Sequence, residues 1–378
     1  MDLFHSPTAQ TVYTDEVGDL SDLLESYCPD LGTLPATRIA VARDSILTDT
    51  VAFFKSNKFD IRSTFRVRFE NEPAVDGGGP RREFFTLLLR SLIAPDTPFR
   101  LFEGKAGHIL PIHNIDALVG GMFKSAGNII AASIVQGGPG FPMFSSAFYA
   151  YLQTQDLDDV YALATPDDIP DSAVAHSAKQ IGRQDISNEE FETHVTVLQD
   201  SVSAAGYPYR LTKENHGEAV RSLLVHEIIL SRRSEIDQVI AGLGPEICTM
   251  VKEHGKVMSS LFTNEGRVPL VASEFLKLVT YENTLPRHLK DYFQRYVLEA
   301  DEKHLRLLLQ SVSGVSAVPP MGFQMPDRIT VSSIRSRYPD CSTCAMILEL
   351  PINCTLHDEF SDALRTATEL QSMGFGIV

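Results

Sequence analysis

Between Thr64 and Ile93 the hydrophobic period changes across a single loop, and this constrains the fold more than any other feature of the chain. In TFRVRFENE (Thr64–Glu72), Phe65, Val67 and Phe69 alternate with Arg66, Arg68 and Glu70, the two-residue period of a half-buried strand. Asp76 and Gly77–Gly79 then make a tight loop, and Pro80 suits the first turn of a helix, where its missing N–H is not needed. Phe85, Leu88, Leu89 and Leu92 follow as an apolar stripe at helical spacing. The glycine run lacks the Lys-Ser/Thr of a phosphate loop and the spacing of a dinucleotide fingerprint, so it reads as a turn.

Elsewhere helices outnumber strands. LSDLLESY (Leu20–Tyr27) reads as a short helix, and SSAFYAYLQT follows a Gly/Pro loop, Gly137–Phe144. Residues 156–185 are rich in Asp, Pro, Ser and Ala with weak periodicity, as in a mobile or inserted subdomain. Glu218–Gly244 reads as one long helix with a stripe of Val220, Leu223, Leu224, Ile228, Ile236 and Ile240, stopped by Gly242 and Gly244. TYENTLPRH (Thr280–His288) is polar, contains Pro286 and is the expected linker. Beyond it, two helices are expected around Tyr292–Tyr296 and Leu305–Val312, then a strand in CAMILELP, then a helix carrying Phe360, Leu364, Ala367 and Leu370. The expected architecture is α+β: an upstream segment 1–36, a large, mostly helical lobe 37–283 and a small α/β lobe 284–378.

With 378 residues and 43% hydrophobic content, the chain can bury a sizeable core, and its net charge of −16 disfavours nucleic acid as a partner. NIIAASIV (Asn128–Val135) is far shorter than the roughly 18–20 apolar residues of a membrane span, so no membrane partner is expected. The five cysteines, Cys28, Cys248, Cys341, Cys344 and Cys354, are too few and too clustered for a secreted disulfide framework. MDLFHSPTAQTVYTDE has no basic and apolar run of a signal peptide, so none is expected, and the expected compartment is the cytoplasm or nucleus.

Cys341-x2-Cys344-x9-Cys354-x2-His357 has the spacing of a zinc site. If CAMILEL is a strand rising about 3.3 Å per residue, it carries the chain roughly 20 Å from Cys344. The four residues to Cys354 span at most about 14 Å, so the two thiols cannot share a metal. A redox pair normally opens a helix whose N-terminus stabilises a thiolate. Here a strand follows, and no helix N-terminus is evident. Cys344, at the exit of the polar stretch Pro339–Thr343, is therefore either a nucleophile or a bystander.

CSTCAMILELP resembles the catalytic-cysteine segment of HECT-type E3 ubiquitin ligases, a Thr-Cys pair followed by a short strand ending in Leu-Pro. Leu307–Phe323 resembles the helix-to-turn segment upstream of that cysteine, Val67–Phe85 the family's strand, Asp-Gly-Gly loop and Arg-Glu-Phe-Phe helix, and Glu214–Leu230 the start of its long helix. The motifs are ordered over residues 37–378. Ser342 stands where many members have His, Ala345-Met346 where Phe-Asn is common, and Val378 where the family often ends in an acid.

The resemblance implies a bilobal HECT domain working with an E2 ubiquitin-conjugating enzyme, ubiquitin and a protein substrate, with no cofactor and no metal. Cys344 would be the thioester acceptor, Thr343 part of its supporting loop, and Phe375, fourth from the end, a positioning residue. Glu83 and the Val378 carboxylate would be candidate bases for lysine attack, with a structural salt bridge the competing role for Glu83. E2 binding would fall in residues 156–215. Cys341 would be an alternative acceptor in the absence of Cys344. The other functional reading is a catalytically weak or inactive HECT-like module that binds E2 or ubiquitin.

Overall fold

The computed structural model of the chain describes residues 20–28, 33–56, 59–70, 78–94, 100–323 and 327–372. Helix α1 (Leu20–Tyr27) leads to strand β1 (Leu34–Val41), helix α2 (Ile46–Lys55) and strand β2 (Ser63–Phe69), which pairs in parallel with β1. As its alternation requires, β2 buries Phe65, Val67 and Phe69 and exposes Arg66 and Arg68. Helix α3 (Gly79–Ile93) starts after Gly78, whose φ of 101° is left-handed, and has Pro80 in its first turn. Phe85, Leu88, Leu89 and Leu92 are buried as the stripe predicts.

A hairpin of β3 (Phe102–Lys105) and β4 (His108–Pro111) precedes α4 (Ile115–Val119) and α5 (Met122–Val135). Helix α5 holds most of NIIAASIV in the core, and no described helix is long and apolar enough to cross a membrane. Helix α6 (Ser146–Thr154) is capped by the Ser145 hydroxyl, which accepts from the Phe148 amide. Residues 156–215 form α7 (Leu157–Leu163), α8 (Ser172–Gln180) and α9 (Asn188–Ala204), the last opened by a capping box of Ser187 and Glu190. This stretch packs on the main body. Buried Asp168 accepts from the Thr165 amide at 2.7 Å and lies 2.7 Å from His108 Nδ1 on β4.

The long helix expected over Glu218–Gly244 is corrected to two. Helix α10 (His216–Ile228) ends in a short 3-10 turn, Leu230–Arg232, and α11 (Arg233–Glu253) follows it. Within α11, Gly244 at φ 81° and ψ 166° is non-helical and, with Pro245, stops the first helical segment where the sequence predicts, and a second segment continues beyond the kink. Helix α12 (Gly255–Phe262) closes the first hydrophobic core.

A second core begins at Leu270 and comprises α13 (Ala272–Lys277), β5 (Val279–Tyr281), α14 (Arg287–Glu299), α15 (Glu302–Ser313), β6 (Ile329–Ile334), β7 (Asp340–Ser342), β8 (Ile347–Pro351) and α16 (His357–Ser372). Its sheet runs β5-β6-β8-β7, with β7 the antiparallel edge. The expected linker at 280–288 is thus corrected. Thr280 and Tyr281 belong to β5, the Glu282 amide donates to the Val331 carbonyl at 3.0 Å, and the chain crosses between cores over 263–269. There Glu302 accepts from Arg267 at 3.3 Å and from the Leu270 amide at 3.3 Å, tying the crossing to α15. In α16, Phe360, Leu364 and Ala367 are buried, but Leu370 is 41% exposed, so the stripe ends a turn earlier than its spacing predicts.

Candidate functional site

The polar stretch expected to be a loop before Cys344 is partly strand. Asp340, Cys341 and Ser342 pair with Glu349, Leu348 and Ile347, and the strand after the cysteine starts at Ile347. Cys344 therefore lies in a tight turn, Thr343–Met346, at the tip of the β7–β8 hairpin. Met346 closes this turn with φ 51°, a backbone state costing a non-glycine residue about 1–2 kcal/mol. Its fully buried side chain in the second core offsets that cost.

The two cysteines of the hairpin differ in environment. Cys341 packs against the second core, and burial, with the Asp340 and Glu349 carboxylates nearby, pushes its thiol up to about 12. Cys344 is half-buried where the hairpin tip meets α3 of the first lobe. In the folded protein Cys341 is expected to resist iodoacetamide up to about pH 10, because alkylation requires the thiolate. Peptide mapping of chain alkylated between pH 7 and 11 checks this, and rapid labelling of Cys341 at pH 8 would contradict it.

Helix α3 supplies the other side of the seam. A methyl group on Gly79 would lie 2.5 Å from the Thr343 carbonyl oxygen and 2.6 Å from Cys344 Cα, so the two backbones touch. Arg82, only 5% exposed, donates from Nε to the Ser313 carbonyl at 2.9 Å and from Nη2 to the Thr343 carbonyl at 3.2 Å. Its guanidinium lies 5.5 Å from the centroid of the Phe323 ring. One turn further, Thr86 Oγ1 donates to the Gly314 carbonyl at 2.7 Å, and Arg90 donates to Gln310 at 2.8 Å. One face of α3 is thus bonded to the end of α15 and to the cysteine turn. The expectation that no helix N-terminus lies near the cysteines is corrected: α3 provides one from far upstream in the chain.

Glu83 shares that helix, and both its carboxylate oxygens accept from Arg43, at 2.6 and 3.2 Å. Arg43 in turn stacks 4.1 Å from the Phe69 centroid. This is the structural salt bridge weighed against the base role. Thr343 contributes its carbonyl. Phe375 and Val378 lie outside the described residues. Among the described residues, no three His, Cys, Asp or Glu side chains come together as a metal site. Arg82 and Gly79 were not singled out from sequence; the signal available was GGGPRRE, which puts two arginines and no acid in a first helical turn, against the helix dipole.

Residues 86–378 match the model of the HECT-domain (ubiquitin-transferase) family. The G2/M phase-specific E3 ubiquitin-protein ligase of Gallus gallus is 26% identical over 350 residues, covering 89% of this chain and 45% of that protein. HACE1 of Xenopus tropicalis is 25% identical over 83% of the chain and 36% of its own length. The E3 ubiquitin-protein ligase ptr1 of Schizosaccharomyces pombe is 25% identical over 90% of the chain and 11% of its own length. The chain thus spans less than half the length of these relatives. With two lobes, a cysteine turn at their seam and a family match over most of its length, the chain belongs to the HECT-domain family of ubiquitin transferases.

Proposed function

We propose that this chain accepts ubiquitin from an E2 conjugating enzyme as a thioester on Cys344 and passes it to a lysine of a protein substrate. The observation that carries the reading is the placement of Cys344 in a hairpin turn held against α3, while its neighbour Cys341, half-buried on the edge strand, packs against the second core with a raised thiol. In the first step the Cys344 sulfur attacks the E2-linked thioester. One thioester replaces another, so the exchange is nearly balanced and needs no dedicated base. In the second step a lysine amine attacks and an amide replaces the thioester.

The Thr343 carbonyl anchors the turn, and Phe375 positions the small lobe for lysine attack. Glu83 is held in an ion pair by Arg43 within the first lobe, which leaves the Val378 carboxylate as the other candidate base. Helices α7–α9, within 156–215, present Tyr161, Leu163 and Val197, apolar side chains suited to an E2 surface, and Tyr209 follows them. The lobes move about the crossing at 263–269. The compartment is the cytoplasm or nucleus, where a chain with few, clustered cysteines keeps its thiols reduced.

The test mixes ubiquitin-charged E2 with the full chain and looks for a thiol-sensitive ubiquitin adduct. The adduct is expected with wild type and Cys341→Ala and absent with Cys344→Ala. No adduct with wild type, as an inactive binding module would give, or an undiminished one with Cys344→Ala, overturns the reading.

A further inference from the structure

The buried guanidinium at the seam has a use beyond packing. We propose that Arg82 is a positioning residue for the second transfer, from Cys344 to lysine, acting through the Thr343 carbonyl; this rests on Cys344 being the ubiquitin acceptor. Arg82 belongs to the first lobe by sequence and packing, yet two of its hydrogen bonds reach backbone carbonyls of the second: Ser313 at the end of α15 and Thr343 in the cysteine turn. The first fixes the second lobe against α3, and the second fixes the turn within it. Gly79 lets the turn approach until the backbones touch, and Thr86 repeats the attachment at Gly314. Three residues on one face of α3 thus set where Cys344 sits.

The chemistry separates the two steps. In lysine transfer the amine nitrogen forms the C–N bond, the electron pair of the C–S bond leaves on the Cys344 sulfur, and the surplus amine proton passes to solvent. Negative charge then grows on the carbonyl oxygen and the departing sulfur, one peptide bond from the Arg82 guanidinium and beside the positive end of α3. Stabilising a leaving thiolate speeds its departure. In the first transfer the same stabilisation raises the thiolate fraction but lowers its nucleophilicity, and the two effects largely offset each other. Loss of the Arg82 contacts should therefore slow lysine transfer far more than charging. The two arginines of the α3 first turn, unfavourable for that helix by the dipole rule, fit such a use.

The test measures both steps on the full chain. Charging is followed in single turnover from ubiquitin-loaded E2. Discharge is followed by adding free lysine to the isolated thioester after E2 is inactivated. Arg82→Gln is expected to slow discharge by about tenfold or more and charging by less than about threefold. Arg82→Lys, which keeps the charge and one donor, should recover part of the loss. Because a glutamine in this buried place could unfold the chain, Gly79→Ala provides a second variant. It keeps Arg82, favours the helix, and displaces the turn. It should show the same split, and hydrogen exchange of residues 339–347 should rise in both variants while α5 is unchanged.

Equal slowing of both steps, discharge at the wild-type rate, no recovery with lysine, or unchanged exchange in the hairpin would each overturn the proposal. Failure of the wild-type chain to charge is a different result: it removes the acceptor assignment, and the role of Arg82 falls with it. Wild-type charging with unimpaired Arg82→Gln discharge removes only the role of Arg82.

Discussion

Cys344→Ala is expected to reduce the ubiquitin thioester below detection, a loss of about a thousandfold or more, because no remaining thiol of the chain combines ionisation with a place at the seam. Cys341 is the neighbour best placed in sequence, but it opposes Leu348 in the hairpin ladder with its thiol at about 12. Burial, then the Glu359 carboxylate, raises Cys354, and burial, then Glu246, raises both Cys28 and Cys248. With these surroundings, Cys341 is expected not to substitute for Cys344. Cys341→Ala should charge within about twofold of wild type, since it removes a small, half-buried group from an edge strand. Intact-protein mass spectrometry of the quenched reaction checks both variants. A shift of one ubiquitin on Cys344→Ala, or its loss on Cys341→Ala, would exchange the roles of the two cysteines.

The second large effect is on stability. Gly242→Ala is expected to destabilise the first lobe by about 2–3 kcal/mol, although alanine is the better helix former. Helices α5 and α11 cross at a pair of glycines. A methyl on Gly242 would stand 2.1 Å from the Lys124 carbonyl oxygen, and one on Gly127 would stand 2.2 Å from the Val239 carbonyl oxygen. Both obstacles are backbone, which cannot rotate away as a side chain can, so the helices must separate and loosen the contacts of Phe123, Ile130 and Val239. Urea unfolding followed by a first-lobe probe gives the number, and a change under about 0.5 kcal/mol would show that the helices part at little cost.

Gly242 also marks what could be read in the sequence. Between an apolar stripe and Pro245, a glycine pair looks like a stop; Gly244 is one, but Gly242 is a helix crossing, and the partner that decides this, Gly127, is far away. The converse error lies at Ile229–Arg232, where a helix breaks without glycine or proline because buried Arg232 turns to donate to Glu103 and to the Pro111 carbonyl. Strand β2 and helix α3 were legible because each carries its own period and one buried face. Strand β7 was not. It is a short edge strand with two of three residues exposed, so no alternation records it. Of the site, the motifs marked Cys344 and Thr343, whereas Arg82 was invisible: its acceptors are main-chain carbonyls, which leave no trace in residue types. The linker was misplaced for a similar reason. Polar Thr280–His288 looks exposed, but pairing with β6 satisfies its first residues, while the true crossing is held by a carboxylate on α15.

The left-handed Met346 has a mechanical consequence. A glycine there would relax the backbone and let the hairpin tip sample several shapes; a methionine at φ 51°, anchored by a fully buried side chain, leaves the tip one shape. If Cys344 accepts ubiquitin as proposed, it is then a point on a stiff lever whose fulcrum is the crossing at 263–269. Whatever distance it travels between donor and acceptor, the whole lobe must travel with it.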